Sequence, residues 1–336
     1  MSARGRAGVT GAARARVAVV GAGRMGRGIA LAFAYAGYDI AVLDLKARSA
    51  AQAAALLAQA REDMASSLAM LAELGAIEAD APPRLMGRIH LFAEGESDAA
   101  LAEADVIFEG VTETLEAKQQ VFARICAACR PAAILASTTS TIVVTDLLPL
   151  VTHPQRLLNA HWLNPAYVIP LVELSLHAGT SGETLAVMKD LLEDIGKVPV
   201  QCGPTPGYIV PRLQALVMNE AARMIEEGAA TAEEIDKATR LGLGLRFAAI
   251  GVVEFIDYGG NDILYHASRY LSKTVSSERY AVPDIVARFM QEGRNGLKSG
   301  QGFYDYRERD TQAYRKDVLA RTLGMLRQAG LQKPPR

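Results

Sequence analysis

Three cysteines in 336 residues are too few for a disulfide framework, which sets the chain apart from secreted disulfide scaffolds and places it most simply in the cytoplasm. Two of them, Cys126 and Cys129, form a CxxC inside VFARICAACR. That segment has helical periodicity and no second cysteine or histidine pair close by, so the two read as buried small residues rather than a metal or redox site. An excess of charge is also missing. The formal net charge is −1, so no global field draws the chain to nucleic acid or to a membrane surface. No apolar run reaches the length needed to span a bilayer. The opening MSARGRAGVTGAAR, residues 1–14, has no apolar core segment, so it reads as a disordered tail and not as a secretory signal. Internal repeats and low-complexity linkers are absent too.

What the chain does have is apolar residues, 50% of the total, and length enough for two domains. Its expected partners are small molecules and copies of itself. The organising stretch is residues 16–34, RVAVVGAGRMGRGIALAFA. A short apolar run reads as a buried parallel strand, and a glycine turn leads from it into an amphipathic helix. Gly21 allows the tight turn, Gly23 removes a side chain where a pyrophosphate approaches, and Gly26 lets helix and strand pack closely. Arg24 and Met25 lie in the same turn, where the free N–H groups of the helix face the phosphates. About twenty residues on, YDIAVLDL reads as the second strand and sets Asp44 at its end, in position to bind an adenosine ribose. Its charge favours NAD over NADP, although Lys46 and Arg48 are cations able to accept a phosphate.

Further along, residues 47–74 form an alanine-rich helix ending at Gly75, longer than a crossover needs, which implies an inserted helical arm. Strands follow at 89–92, 104–111 and up to Ser137, then RLLNAHW, IPLVELSL and KVPVQC, with helices between most of them. The alternation ends at GPTPG, 203–207, and everything after it reads helical. The expected fold is α/β: a Rossmann-type parallel sheet with a helical-arm insertion over 15–203, then an all-helical substrate and dimerisation domain over 204–336. FAAIGVVEFIDYGGNDILYHASRYL is apolar almost all round, so it is expected to be a helix buried within that domain or in a homodimer interface.

Ligands of open parallel sheets bind at the carboxyl ends of the strands. Polar residues just after predicted strands are therefore candidates: Glu113, Ser140, His161 with Asn164, and Glu173. Oxidising an alcohol by hydride loss needs one base of near-neutral pKa and a group to hold its imidazole in one tautomer. With VAVVGAGRMGRGIA, ASTTS, HWLNPAYVIPLVEL, PGYIV and LKSGQGFYDY in order, the chain resembles the L-3-hydroxyacyl-CoA dehydrogenase family over nearly its whole length after the tail. The resemblance implies an NAD-dependent enzyme of fatty acid metabolism, with no metal. It implies His161 as the catalytic base and Glu173 as its partner, with Ser140 and Asn164 on substrate and cofactor. Glu113, Lys118 and Lys298 are implied near the nicotinamide half of NAD, against the plainer reading of the two lysines as solvated side chains.

Two departures bear on the substrate. The family has an asparagine where this chain has Pro211, which offers no amide side chain and no backbone N–H. A lysine usual near the end of the long helix is absent from AELGAI, and only Arg84 or Arg88 lie close enough to replace it. NPAYVIPLVEL and GLGLRFAAIG look more like the lambda-crystallin and L-gulonate dehydrogenase branch, in which free hydroxy acids are substrates and Arg246 would clamp a carboxylate. The readings that stand side by side are a 3-hydroxyacyl-CoA dehydrogenase, a free hydroxy-acid dehydrogenase, and a non-catalytic NAD-binding scaffold. A dehydrogenase of the 6-phosphogluconate type, which uses lysine for acid–base work, is disfavoured by the His161 and Glu173 pair.

Overall fold

The computed structural model describes residues 14–332. The expected tail therefore lies outside the described residues, apart from Arg14. Two compact units divide at Val217 and Met218.

The first unit is built on one eight-stranded sheet in the order β3-β2-β1-β4-β5-β6-β7-β8. The strands are β1 (Val17–Val20), β2 (Ile40–Leu43), β3 (Ile89–Phe92), β4 (Val106–Glu109), β5 (Ile134–Ser137), β6 (Leu157–Trp162), β7 (Leu171–Ser175) and β8 (Val198–Cys202). β1, β4, β5 and β6 are buried at every position, as strands covered by helices on both faces must be. One face packs under α1 (Arg24–Tyr35), α2 (Ala50–Glu73) and α3 (Ala81–Met86); the other packs under α4 (Ser97–Glu103), α5 (Leu115–Ala128) and α6 (Val144–Leu147). α7 (Gly182–Asp194) returns to the first face.

Local chemistry sets the helix ends. Ser49 and Gln52 form a reciprocal capping box at the start of α2, which is why that helix opens later than apolar spacing alone suggests. Thr114 caps α5 by one bond only, its hydroxyl accepting the Ala117 amide. Cys126 and Cys129 are half-buried and pack against the α4–α5 face, and burial pushes the Cys129 thiol up.

The sheet is parallel from β3 through β6, and then β7 runs antiparallel to β6. The physical reason is length. Residues 163–170 are too few for a parallel crossover, which needs a dozen or more residues. The reversal sets His161 directly opposite Glu173.

α8 (Val210–Glu226) links the units, and the division falls within it, beyond the expected boundary at 203. The proline and glycine cluster marks where strands end. The chain that follows still belongs to the sheet, because Tyr208 is buried and the amides of Ile209 and Val210 bind Glu173.

The second unit holds α9 (Ala232–Ala238), α10 (Leu245–Ala249), α11 (Val252–Gly259), α12 (Asn261–Thr274), α13 (Asp284–Gln291) and α14 (Thr311–Gln328). The apolar stretch expected as one helix is three. It breaks at extended Ile250 and again at Gly260, which has φ 111°. Its apolar side chains are not buried within the unit as expected: Phe247, Val252, Val253, Ile263 and Tyr270 are exposed, and Ala249 and Ile250 are buried. The LKSGQGFYDY turn wraps the buried Asp257 carboxylate, which accepts the amides of Phe303 (3.0 Å) and Tyr304 (2.8 Å). A Cβ at Gly302 would lie 2.1 Å from that carboxylate, so the glycine is needed for close approach.

Candidate active site

The strand order reverses between β1 and β4, and a cleft opens at their carboxyl ends, as expected for a topological switch point. Its volume is about 750 Å³, and Gly21, Gly23, Asp44, Arg48 and Gly110 line it. The glycines act differently. A Cβ on Gly21 would stand 2.6 Å from the Gly110 carbonyl oxygen, and one on Gly26 would stand 1.8 Å from the Gly21 carbonyl oxygen. At Gly23 a Cβ would meet nothing within 4 Å, which leaves open space above the helix N-terminus. Arg24 is exposed and Met25 half-buried in the first turn of that helix. Asp44 is buried, and its Oδ2 accepts Arg48 Nε at 2.6 Å. Among the described residues no donor reaches Oδ1, which stays available to a ribose hydroxyl. These residues fit a dinucleotide.

His161 and Glu173, expected as base and partner, face each other across the antiparallel strands β6 and β7. His161 Nδ1 is 2.8 Å from Glu173 Oε2. Glu173 Oε1 accepts the amides of Ile209 (2.9 Å) and Val210 (2.8 Å). Burial pushes this carboxyl up, but the hydrogen bonds from His161, Val210 and Ile209 outweigh it and leave the group below the ordinary glutamate value. Glu173 is thus held as a carboxylate that accepts Nδ1–H, which frees Nε2 of His161 to exchange a proton.

A second network braces the loop after β5. Glu113 Oε1 accepts the amides of Ser140 (2.8 Å) and Thr141 (3.0 Å) and the hydroxyls of Thr139 and Thr141. Burial raises the Glu113 carboxyl, yet the Thr139 hydroxyl and the Lys118 charge bring it below its ordinary value. Lys118 lies beneath, fully buried, with Nζ 2.9 Å from both oxygens of Glu109 and 3.6 Å from Glu113 Oε2. Ser137 Oγ donates to Glu109 Oε2 at 2.6 Å. A buried cation between carboxylates of this kind survives only because each group is bonded.

A family model for the NAD binding domain of 3-hydroxyacyl-CoA dehydrogenase matches residues 16–205, and one for the C-terminal domain matches residues 207–306. The chain belongs to the 3-hydroxyacyl-CoA dehydrogenase family. A relative from Deinococcus radiodurans, named as a probable 3-hydroxybutyryl-CoA dehydrogenase, is 31% identical over 288 residues, 86% of this chain and 99% of that protein. A 5-formyl-3-hydroxy-2-methylpyridine 4-carboxylate 5-dehydrogenase from Mesorhizobium japonicum is 29% identical over 93% of this chain and 97% of its own length. The crystal structure of a 3-hydroxyacyl-CoA dehydrogenase from Archaeoglobus fulgidus has a TM-score of 0.75 at 32% identity, covering 95% of this chain and 100% of that one. Membership in this 3-hydroxyacyl-CoA dehydrogenase family makes the protein an NAD-dependent oxidoreductase acting on CH–OH groups.

Set against the family pattern, the expected residues fall into three groups. His161 and Glu173 meet directly, and Glu113 meets the Ser140 backbone. The Ser140 hydroxyl and the Asn164 amide sit on exposed residues at the strand ends. Lys118 is fully buried and so is not a solvated side chain: its Nζ is held among Glu109, Glu113 and Ser137. Lys298, in the second unit, is half-exposed and paired with Asp262 at 3.0 Å. Arg246 caps the Gly242 carbonyl at 2.6 Å and lies over the Phe255 ring. Pro211 sits in the first turn of α8, where a missing N–H costs nothing because the turn has no intrahelical acceptor for it. Sequence reasoning missed Glu109, signalled by an acid ending the apolar run VIFE. It also missed Arg27, which lines the cleft and pairs with Asp63 of α2 at 3.0 Å.

Proposed function

We propose that the protein interconverts a short-chain L-3-hydroxyacyl-CoA and its 3-ketoacyl-CoA, with His161 and Glu173 as the acid–base dyad. The observation that carries this reading is the 2.8 Å contact between His161 Nδ1 and a carboxylate whose other oxygen is held by two amides. Bound NAD supplies the hydride acceptor. Nε2 of His161 removes the 3-hydroxyl proton, and Glu173 fixes the Nδ1–H tautomer and steadies the imidazolium. In the reverse direction the same nitrogen returns the proton to the forming alkoxide. Ser140 and Asn164 hold the oxygen of the reacting carbon, and Glu113 orders the Ser140 turn. Gly21, Gly23, Arg24, Met25, Gly26 and Asp44 bind the cofactor.

The test is a spectrophotometric assay following NADH. His161→Ala should lower kcat by about 10²–10⁴-fold while NADH still binds. Near-normal turnover in that variant would dismiss the base, and an inactive wild type that binds NADH tightly would favour a non-catalytic scaffold.

One observation supports a second substrate class. No lysine or arginine lies between Arg61 and Arg84 on the arm, Arg84 is paired with Glu78, and Arg88 is bonded to the Gly37 carbonyl. That leaves few cations there for CoA phosphates, which suits a free 3-hydroxy acid. A panel of thioesters beside their free acids, measured as kcat/KM, separates the two: a tenfold preference corresponds to about 1.4 kcal/mol of transition-state binding.

We further propose that the protein works as a homodimer in the cytoplasm. α8 has no buried residue and exposes Leu213, Leu216, Val217 and Met218, an apolar stripe of the kind a second copy covers.

A further inference from the structure

The turn that leads into α8 holds two consecutive residues in the left-handed region, Gly207 at φ 76° and Tyr208 at φ 46°. Glycine adopts this conformation freely. Tyrosine does so rarely, and Tyr208 is the one non-glycine residue with positive φ among the described residues. Such a conformation persists only where the surroundings hold it.

Three contacts do so. The Tyr208 ring is 4% exposed and lies almost parallel to the His161 imidazole, with centroids 4.8 Å apart and planes 8° apart. Its hydroxyl donates to the Thr139 carbonyl at 2.7 Å and accepts Asn159 Nδ2 at 3.0 Å. The next two amides, of Ile209 and Val210, bind Glu173. One turn therefore supplies both amides to the carboxylate, a platform under the imidazole, and a tether to the loop that carries Ser140.

We infer that Tyr208 is a positioning residue for His161, its ring fixing the imidazole plane from one face. This rests on the reading of His161 as the acid–base group. The ring torsion of histidine is broad and weakly restrained. The bond from Nδ1 to Glu173 pins one atom and leaves the ring free to rock about it. A parallel aromatic ring stops the rocking toward its own side, keeps water from that face, and favours the imidazolium when the proton arrives. Burial pushes the Tyr208 phenol up, so it stays a neutral hydrogen-bond donor and does not compete with His161 for the proton.

The experiment compares Tyr208→Phe, Tyr208→Met and His161→Ala in the full-length enzyme. Turnover is measured with NADH and acetoacetyl-CoA, with acetoacetate as the free-acid arm, and NADH binding by fluorescence. Tyr208→Phe keeps the ring and should hold kcat within about threefold, whereas Tyr208→Met fills the space without an aromatic face and should lose about tenfold or more. In both, KM and NADH affinity should stay within about twofold, a split that general loosening of the fold would not produce. Wild-type kcat in Tyr208→Met overturns the inference, as does a parallel loss of NADH binding. A tenfold loss in Tyr208→Phe overturns it as well, whether or not Tyr208→Met folds. If His161→Ala retains turnover, the base assignment fails and takes this inference with it; if only Tyr208→Met is unaffected, the base assignment stands alone.

Discussion

Glu173 uses both carboxylate oxygens, one on an imidazole and the other on two main-chain amides. Burial alone would raise its pKa; these bonds lower it, and Glu113 behaves alike. Because the folded values are depressed, the unfolded chain binds more protons as the solution is acidified. The stability these groups contribute is complete above the ordinary glutamate value of 4.5 and is lost as pH falls through the folded values. Melting temperature should therefore be level near neutrality and fall in acid. A Glu173→Gln variant, less stable at neutral pH, should converge on the wild type as the pH drops below that range. A gap that stays constant in thermal melts across the series would contradict this account of the carboxylate.

At the scale of elements, the glycine turn separates packing from binding. A Cβ at Gly26 collides with the Gly21 carbonyl, whereas one at Gly23 meets no protein atom. Gly26→Ala should cost about 1–3 kcal/mol of stability as well as cofactor affinity. Gly23→Ala should leave the melting temperature unchanged and weaken NADH alone, because it fills only the space a pyrophosphate needs. Scanning fluorimetry paired with an NADH titration distinguishes them, and equal destabilisation by both would count against this division of roles between the two glycines. This turn was legible in the sequence because glycine spacing reports backbone geometry directly. The reversal of β7 was less so. IPLVELSL reads as a buried strand either way, and only the shortness of residues 163–170 betrays its direction, yet that direction is what brings His161 against Glu173. Burial of Lys118 was hidden for a similar reason: a lysine on a helix reads as solvated until Glu109 and Glu113 are seen on both sides of its Nζ. Tyr208 gave no periodic signal, since its role comes from one backbone conformation.

For the whole molecule, the chain passes between its two compact units inside α8, beyond the proline and glycine cluster. Among the described residues no helix is long and apolar enough to cross a membrane. The uncovered apolar residues of α8, together with exposed Val252, Val253 and Ile263 in the second unit, predict self-association. Sedimentation equilibrium should give twice the 35.9 kDa chain mass, and charged substitutions at Leu216 and Val217 should return it to that of one chain. A monomer at all concentrations would remove the proposed interface. The central claim, that a histidine and a glutamate carry the proton as one unit, is tested most directly by a double-mutant cycle on kcat/KM with His161→Ala, Glu173→Gln and both together. Groups that act as a unit lose little more in combination than in the worse single variant, so the double variant should match His161→Ala. Losses that multiply would mean that the two residues work independently, and would contradict the dyad.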